Sequence, residues 1–169
     1  MLTVDTAVAD GDWDGAIDWA TLANAAAGAA LAQSTHAHLG RASYVIEVAV
    51  RLTTDAEVHT LNAQYRHQDK PTNVLSFPMV QPDLLDGLAN SDDGEVLLGD
   101  IVLAWETCAA EAAVKGVAVA DHARHLIAHG MLHLLGLDHG DDAAATQMEA
   151  LETAALATIG VADPYAATD

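Results

Sequence analysis

Hydrophobic and polar positions along the chain follow two patterns, one typical of strands and one typical of helices. Four short runs rich in apolar and β-branched residues predict β-strands: residues 2–7, 44–52, 74–77 and 96–104. Pro78 closes the third run, because proline cannot donate a hydrogen bond within a sheet.

The segments between and after these strands are predicted to be helical. Apolar positions predict helices over residues 14–33, 106–115 and 119–135. Thr54 and Glu57 have the spacing of a capping box that opens another helix, ending near Tyr65. Asp142 is placed to cap a last helix that runs to Ile159. This order predicts an α+β fold, a small mixed sheet of about four strands covered by helices.

Length and composition are those of one domain. A chain of 169 residues can bury roughly 70% of its unfolded surface without disulfides, so residues 1–169 are interpreted as a single domain. Residues 81–95 contain a proline, two glycines and five acidic residues, which predicts an exposed acidic loop.

The single cysteine, Cys108, excludes an intramolecular disulfide and favours a reducing compartment. No basic residue precedes an apolar run at the N-terminus, so no signal peptide is predicted, and the alanine-rich residues 23–32 are too short to span a bilayer. A cytoplasmic location and no membrane partner are expected.

The formal net charge of −19 argues against strong non-specific binding to nucleic acid, which depends on lysine and arginine. Contact with RNA would need a local cationic site. Arg66, Lys70, clustered histidines and a metal ion are the candidates for such a site.

Three histidines near the end of one predicted helix have the spacing of metal ligands. His129 and His133 lie four residues apart and share a helix face, and Gly136 can adopt the left-handed conformation that ends the helix and brings back His139. Three protein ligands leave one position open, as in catalytic zinc sites. Nickel, copper and iron also accept imidazole ligands, so the spacing does not fix the metal.

Two neighbouring residues have several interpretations. His125 lies one turn before His129, and it either hydrogen-bonds the metal-bound water, contacts substrate or packs in the core. Asp138 either orients a ligand through a hydrogen bond or stabilises the turn. Asp100 is interpreted as structural, and Ser76 has no nearby base in sequence that would make it a nucleophile.

Gly130 separates two enzyme classes. Zinc peptidases with similar histidine spacing carry a glutamate directly after the first histidine, and this chain has glycine there. A peptidase would need a base from elsewhere, such as an acid of the 83–95 loop. Hydrolysis of RNA is easier to reconcile with the glycine, because the substrate brings its own 2′-hydroxyl. Water and that hydroxyl both remain possible attacking groups.

Three segments resemble one protein family. HGMLHLLGLDHG (129–140) resembles the H-G-x-L-H-L-x-G-x-D-H signature of the YbeY family of bacterial endoribonucleases. NAQYRHQDKPTNVLSFP (62–78) resembles that family's N-x-x-Y-R-x-x-D-x-P-T-D/N-V-L-S-F-P block, and LGDI (98–101) resembles its L-G-D-I strand. The resemblance covers about residues 44–139.

The resemblance implies roles that spacing alone does not give. His129, His133 and His139 would hold one zinc ion, and Arg66 would be catalytic or contact RNA; from the residues alone, Arg66 is equally well a surface arginine at its helix end. The activity would be single-strand-specific cleavage of ribosomal RNA, including 3′-end maturation of 16S rRNA, and ribosome quality control. Ribosomal RNA and the ribosome or its proteins would be the partners, and DNA would not.

Two alternatives stay open at this point. One is a zinc metallopeptidase, favoured by the histidine spacing. The other is a metal-stabilised ribosome-assembly factor without catalysis, which would bind pre-ribosomal particles and leave RNA intact.

Overall fold

The computed structural model describes residues 1–41, 45–70, 72–85, 95–137 and 140–166. Within these ranges it has four strands and five α-helices in the order β1 (Leu2–Val8), α1 (Trp19–Gln33), β2 (Val45–Thr53), α2 (Asp55–Arg66), β3 (Val74–Pro78), β4 (Glu95–Ala104), α3 (Trp105–Lys115), α4 (Val119–Leu134) and α5 (Asp142–Thr158). Short 3₁₀ helices lie at Ala37–Arg41 and Pro82–Leu84. The predicted α+β class is confirmed.

The strands form one mixed sheet in the order β1-β2-β4-β3. β1, β2 and β4 are parallel, and β3 pairs antiparallel with β4 at one edge. The expectation of about four strands in a mixed sheet is therefore confirmed.

The larger core lies between one face of the sheet and helices α1, α4 and α5. Alternate residues of β2 point into it and are buried, as the period of two in a strand requires: Ile46, Val48, Val50 and Leu52. Helix α4 is central, because it contacts α1, α3 and α5 as well as β3 and β4.

A smaller core lies on the opposite face of the sheet. Val58 of α2 packs there against Leu75, Val102 and Ala104. Helix α2 covers only part of this face, and Ala49 of β2, on the uncovered part, lines a groove.

Helix ends follow their capping residues and correct two predicted boundaries. Helix α1 begins at Trp19 and not at residue 14, because the Asp18 carboxylate accepts the Thr21 N–H and caps the helix. Asp141, not Asp142, caps α5 in the same way by accepting the Ala144 N–H at 2.7 Å.

The predicted capping box at α2 forms only in part. The Thr54 hydroxyl accepts the Glu57 N–H at 3.3 Å, as expected. The Glu57 carboxylate, however, accepts hydrogen bonds from Arg51 and Thr53. The helix is therefore tied to the end of β2 as well as to its own cap.

The predicted exposed loop over residues 81–95 falls mostly on residues 86–94, which lie outside the described residues. At its two ends, Leu85 is buried and Glu95 begins β4. Among the described residues, no helix has the length and apolar character needed to cross a bilayer.

Candidate metal centre and its groove

A long groove of about 1470 Å³ runs over the open part of the sheet. Its walls come from the end of α2, from β3 and β4, and from the last turns of α4. His129 and His133 line the groove on the α4 side, and Tyr65, Arg66 and Lys70 line it on the α2 side. The fold thus brings together residues that are 59 to 68 positions apart in the sequence.

The two groove-lining histidines are aligned as the spacing predicts. The Nε2 atoms of His129 and His133 lie 3.1 Å apart. Two nitrogens bound tetrahedrally to one zinc at the usual Zn–N distance lie about 3.3 Å apart. The donor pair therefore fits a zinc ion, and it fits other metals that accept imidazole.

The third proposed ligand, His139, lies outside the described residues, as does Asp138. Gly136 has φ +92°, the left-handed conformation that was predicted to end the helix. Among the described residues no three His, Cys, Asp or Glu side chains converge on a single metal position. The three-histidine metal site therefore stays a prediction, of which the structure describes the pairing of His129 with His133.

Glu152 of α5 is a further residue of this candidate centre, and no spacing or motif in the sequence predicted it. Its side chain is fully buried and accepts a hydrogen bond from Nδ1 of His129. Burial alone would raise the pKa of this carboxyl, but hydrogen bonds from His125, His129 and Tyr165 outweigh burial and lower the pKa to about 2. Glu152 is therefore ionised at neutral pH.

His125 lies on the Glu152 side of His129. The ring of His125 is buried. Its Nε2 atom lies 3.2 Å from the Tyr165 hydroxyl and 3.5 Å from Oε2 of Glu152. The buried Nδ1 atom of His125 has no hydrogen-bond partner among the described residues. His125 thus contacts Tyr165 and Glu152, and its role at the centre stays a prediction.

The groove is less acidic than the chain as a whole. Three of the six basic residues, Arg51, Arg66 and Lys70, line it beside three carboxylates, Asp5, Glu57 and Asp100, and Arg51 is paired with Glu57. Arg66 is exposed at the last position of α2, and His67 in left-handed conformation ends that helix. The Asn62 amide donates to the Lys70 carbonyl at 2.8 Å, which fixes the chain that follows the helix.

Aromatic and polar side chains line the rest of the groove. Tyr65 is 61% exposed and packs edge-on against Phe77, with ring centroids 5.9 Å apart. Asp100, which was interpreted as structural, lies in the middle of β4 and lines the groove, as does Ser76 of β3.

A second polar cluster connects the groove to α3 and α4. Asn73, in the turn before β3, donates to Glu111 at 3.0 Å, and Glu111 also contacts Nε2 of His122 at 2.8 Å. Burial lowers the pKa of His122, although the hydrogen bond to Glu111 opposes this shift. The buried imidazole is therefore neutral and donates to Glu111.

Comparison with known proteins identifies the family. The family model described as "Endoribonuclease YbeY" matches residues 11–160, which leaves Tyr165 beyond the matched segment. A protein named "Endoribonuclease YbeY" from Sphingopyxis alaskensis is 62% identical over 169 residues, covering 100% of both chains. Another with that name, from Rhizorhabdus wittichii, is 60% identical over 161 residues and 95% of each chain.

One solved structure has a similar fold. The solution structure of TM1509 from Thermotoga maritima matches with a TM-score of 0.51 over 99% of this chain and 100% of that chain. At 20% identity this likeness supports the fold alone. The family model and the full-length relatives carry the assignment: the chain belongs to the YbeY family of endoribonucleases.

Proposed function

We propose that this protein is a zinc-dependent endoribonuclease that cleaves single-stranded RNA during ribosomal RNA processing. One observation supports the proposal: the Nε2 atoms of His129 and His133 lie 3.1 Å apart, and both histidines line the same groove as Arg66. A zinc ion held by these histidines and His139 would polarise a phosphoryl oxygen and lower the pKa of a bound water.

Arg66 supplies the second positive charge that phosphodiester cleavage needs. The transition state carries extra negative charge on its phosphoryl oxygens, and a guanidinium can donate to two of them at once. Arg66 is exposed in the groove, so a phosphate can reach it without displacing the core.

The distribution of charge supports RNA as the substrate. The net charge of −19 repels a polyanion from most of the surface, whereas in the groove three basic residues balance three carboxylates, and Arg66 and Lys70 lie together on its α2 side. Exposed Tyr65 offers a flat face to an unpaired base. These features favour a single strand in the groove.

The specific target follows from the family resemblance and not from the shape of the groove. We extend the proposal to ribosomal RNA, including the 3′ end of 16S rRNA, to ribosome quality control, and to the ribosome or its proteins as partners. This role would place the protein in the cytoplasm, where ribosomes are assembled.

The proposal is tested by incubating purified protein with a single-stranded RNA and with the same sequence in a duplex. We expect cleavage of the single strand only. Arg66→Ala should lower kcat/KM about 10²- to 10³-fold, the usual effect of removing one donor to a developing oxyanion. His133→Ala or a chelator should abolish cleavage. Arg41→Ala, at an exposed arginine of a 3₁₀ helix outside the groove lining, is the matched control and should leave cleavage unchanged.

Cleavage that survives both His133→Ala and chelator would overturn the proposal. Binding to pre-ribosomal particles with RNA left intact over long incubation would also overturn it and would favour the non-catalytic assembly factor.

A further inference from the structure

We infer that Glu152 and Tyr165 are positioning residues for His129: together they hold its ring so that Nδ1 faces Glu152 and Nε2 faces His133 and the proposed metal position. The inference rests on the proposed metal site. It assigns a role in that site to α5 and to the segment after it, neither of which carries a proposed metal ligand.

The first step is the burial of Glu152. Its side chain has no exposed surface, and an ionised carboxylate in that position is stable only when donors surround it. The donors are Nδ1 of His129 and the Tyr165 hydroxyl, with Nε2 of His125 at 3.5 Å. The carboxylate thus joins α4, α5 and the C-terminal segment.

The second step concerns the proton on His129. The Tyr165 hydroxyl donates to one oxygen of buried Glu152 and Nδ1 of His129 contacts the other, so the carboxylate accepts on both oxygens and Nδ1 is the donor. The neutral imidazole then has its lone pair on Nε2, the atom that lies 3.1 Å from Nε2 of His133. Glu152 therefore selects the tautomer that can bind metal from the groove side.

The third step concerns Tyr165. Its hydroxyl donates to Oε2 of Glu152, the oxygen that His129 does not use, and its ring packs edge-on against His125 with centroids 5.3 Å apart. Asp163 fixes the segment by accepting the Tyr165 N–H at 2.8 Å and the Thr153 hydroxyl at 3.2 Å. Tyr165 thereby holds the carboxylate in the rotamer that faces His129.

Zinc affinity of the full chain, measured by competition with a chromophoric chelator, tests this role without any RNA. Glu152→Gln should raise the zinc Kd about 10- to 100-fold, the usual effect of changing a partner of a metal ligand. Tyr165→Phe should raise it less, because Glu152 keeps its bond to His129. Glu149→Gln, at an exposed glutamate of the same helix, is the matched control and should leave the Kd unchanged.

A spectroscopic measurement separates positioning from a purely structural role. Histidine ¹⁵N spectra of metal-free protein at about pH 8, where imidazole is ordinarily neutral, should show His129 with hydrogen on Nδ1. In Glu152→Gln, whose amide can donate as well as accept, His129 should populate both tautomers.

Each outcome has one meaning. Hydrogen on Nε2 of His129 in the parent, or an unchanged zinc Kd in folded Glu152→Gln, would overturn the inference and leave the proposed nuclease intact. A parent protein that does not bind zinc would instead overturn the proposed function. If Glu152→Gln does not fold, the parent spectrum and the Kd of Tyr165→Phe decide the question.

Discussion

Gly130 and Ile101 are in such close contact that a β-carbon on residue 130 would lie 2.9 Å from Cγ2 of Ile101. Gly130 follows His129 directly on α4, and Ile101 belongs to β4, so position 130 faces the sheet. Zinc peptidases carry a glutamate at this position. A glutamate at position 130 of this chain would have to displace Ile101 before its carboxylate could reach the groove. The contact thus argues against a metallopeptidase more strongly than the missing side chain alone.

Substitution at Gly130 should therefore destabilise the protein. Gly130→Ala should lower the free energy of unfolding by about 1–3 kcal/mol through overpacking, offset by up to about 1 kcal/mol of helix propensity. Gly130→Glu should lower it further and should not hydrolyse unfolded protein. Urea denaturation and a peptidase assay measure both effects.

The matched control is Gly28→Ala in α1, where an added β-carbon meets nothing within 4 Å. It should stabilise the protein by about 0.5–1 kcal/mol, because alanine loses less backbone entropy than glycine. Equal effects of the two substitutions would contradict the packing argument.

Tyr65 should contribute to RNA binding through stacking. Tyr65→Ala should weaken binding of a single-stranded oligonucleotide about 5- to 100-fold, because stacking of a base on an aromatic ring contributes about 1–3 kcal/mol. Tyr65→Phe should retain most of the affinity, since the ring remains. Fluorescence of 2-aminopurine in the RNA measures stacking directly, and unchanged quenching in Tyr65→Ala would rule out this contact.

His122 should make stability depend on pH. Burial keeps its pKa below the ordinary value of 6.5, so near and below that pH the unfolded chain binds more protons than the folded protein. Stability should consequently fall as pH drops through this range. His122→Gln, which can keep a donor to Glu111, should reduce the difference in unfolding free energy between about pH 7.5 and pH 5.5. If the parent and His122→Gln lost the same unfolding free energy between these two pH values, His122 would not be the source of the pH dependence.

Cys108 should be inert in the folded protein. Its side chain is buried, and burial together with the negative charge of Glu111 raises the pKa of its thiol to about 12. Both effects suppress the reactive thiolate. An aromatic disulfide reagent should react only as fast as the protein unfolds, and in denaturant it should titrate one thiol per chain. Fast reaction without denaturant would show that α3 opens locally.

The spacing of residues along α4 predicted the local structure of that helix well. The alignment of His129 with His133 follows from their separation of four residues, and the left-handed Gly136 follows from its place after the helix. The positions of the strands could also be predicted from the sequence, because runs of β-branched residues mark them. The start of α1 could not be predicted, since Asp14 and Asp18 are both residues that can cap a helix and only the hydrogen bonds distinguish them.

Partners that come from distant parts of the chain could not be predicted in this way. Glu152 lies 23 residues after His129, and only the packing of α5 on α4 brings them together. Tyr165 lies 40 residues after His125 and belongs to no helix or strand. The position of Asp100 in the groove could not be predicted for a related reason, because it depends on where α2 stops covering the sheet.

The central position of α4 has a consequence for how quickly the site can work. Helix α4 packs against three helices and two strands. The same packing that stabilises the domain therefore orients the imidazoles of His129 and His133. Such preorganisation would leave little conformational freedom to be lost on binding of the proposed ion. Capture of the ion should then proceed without rearrangement of the scaffold.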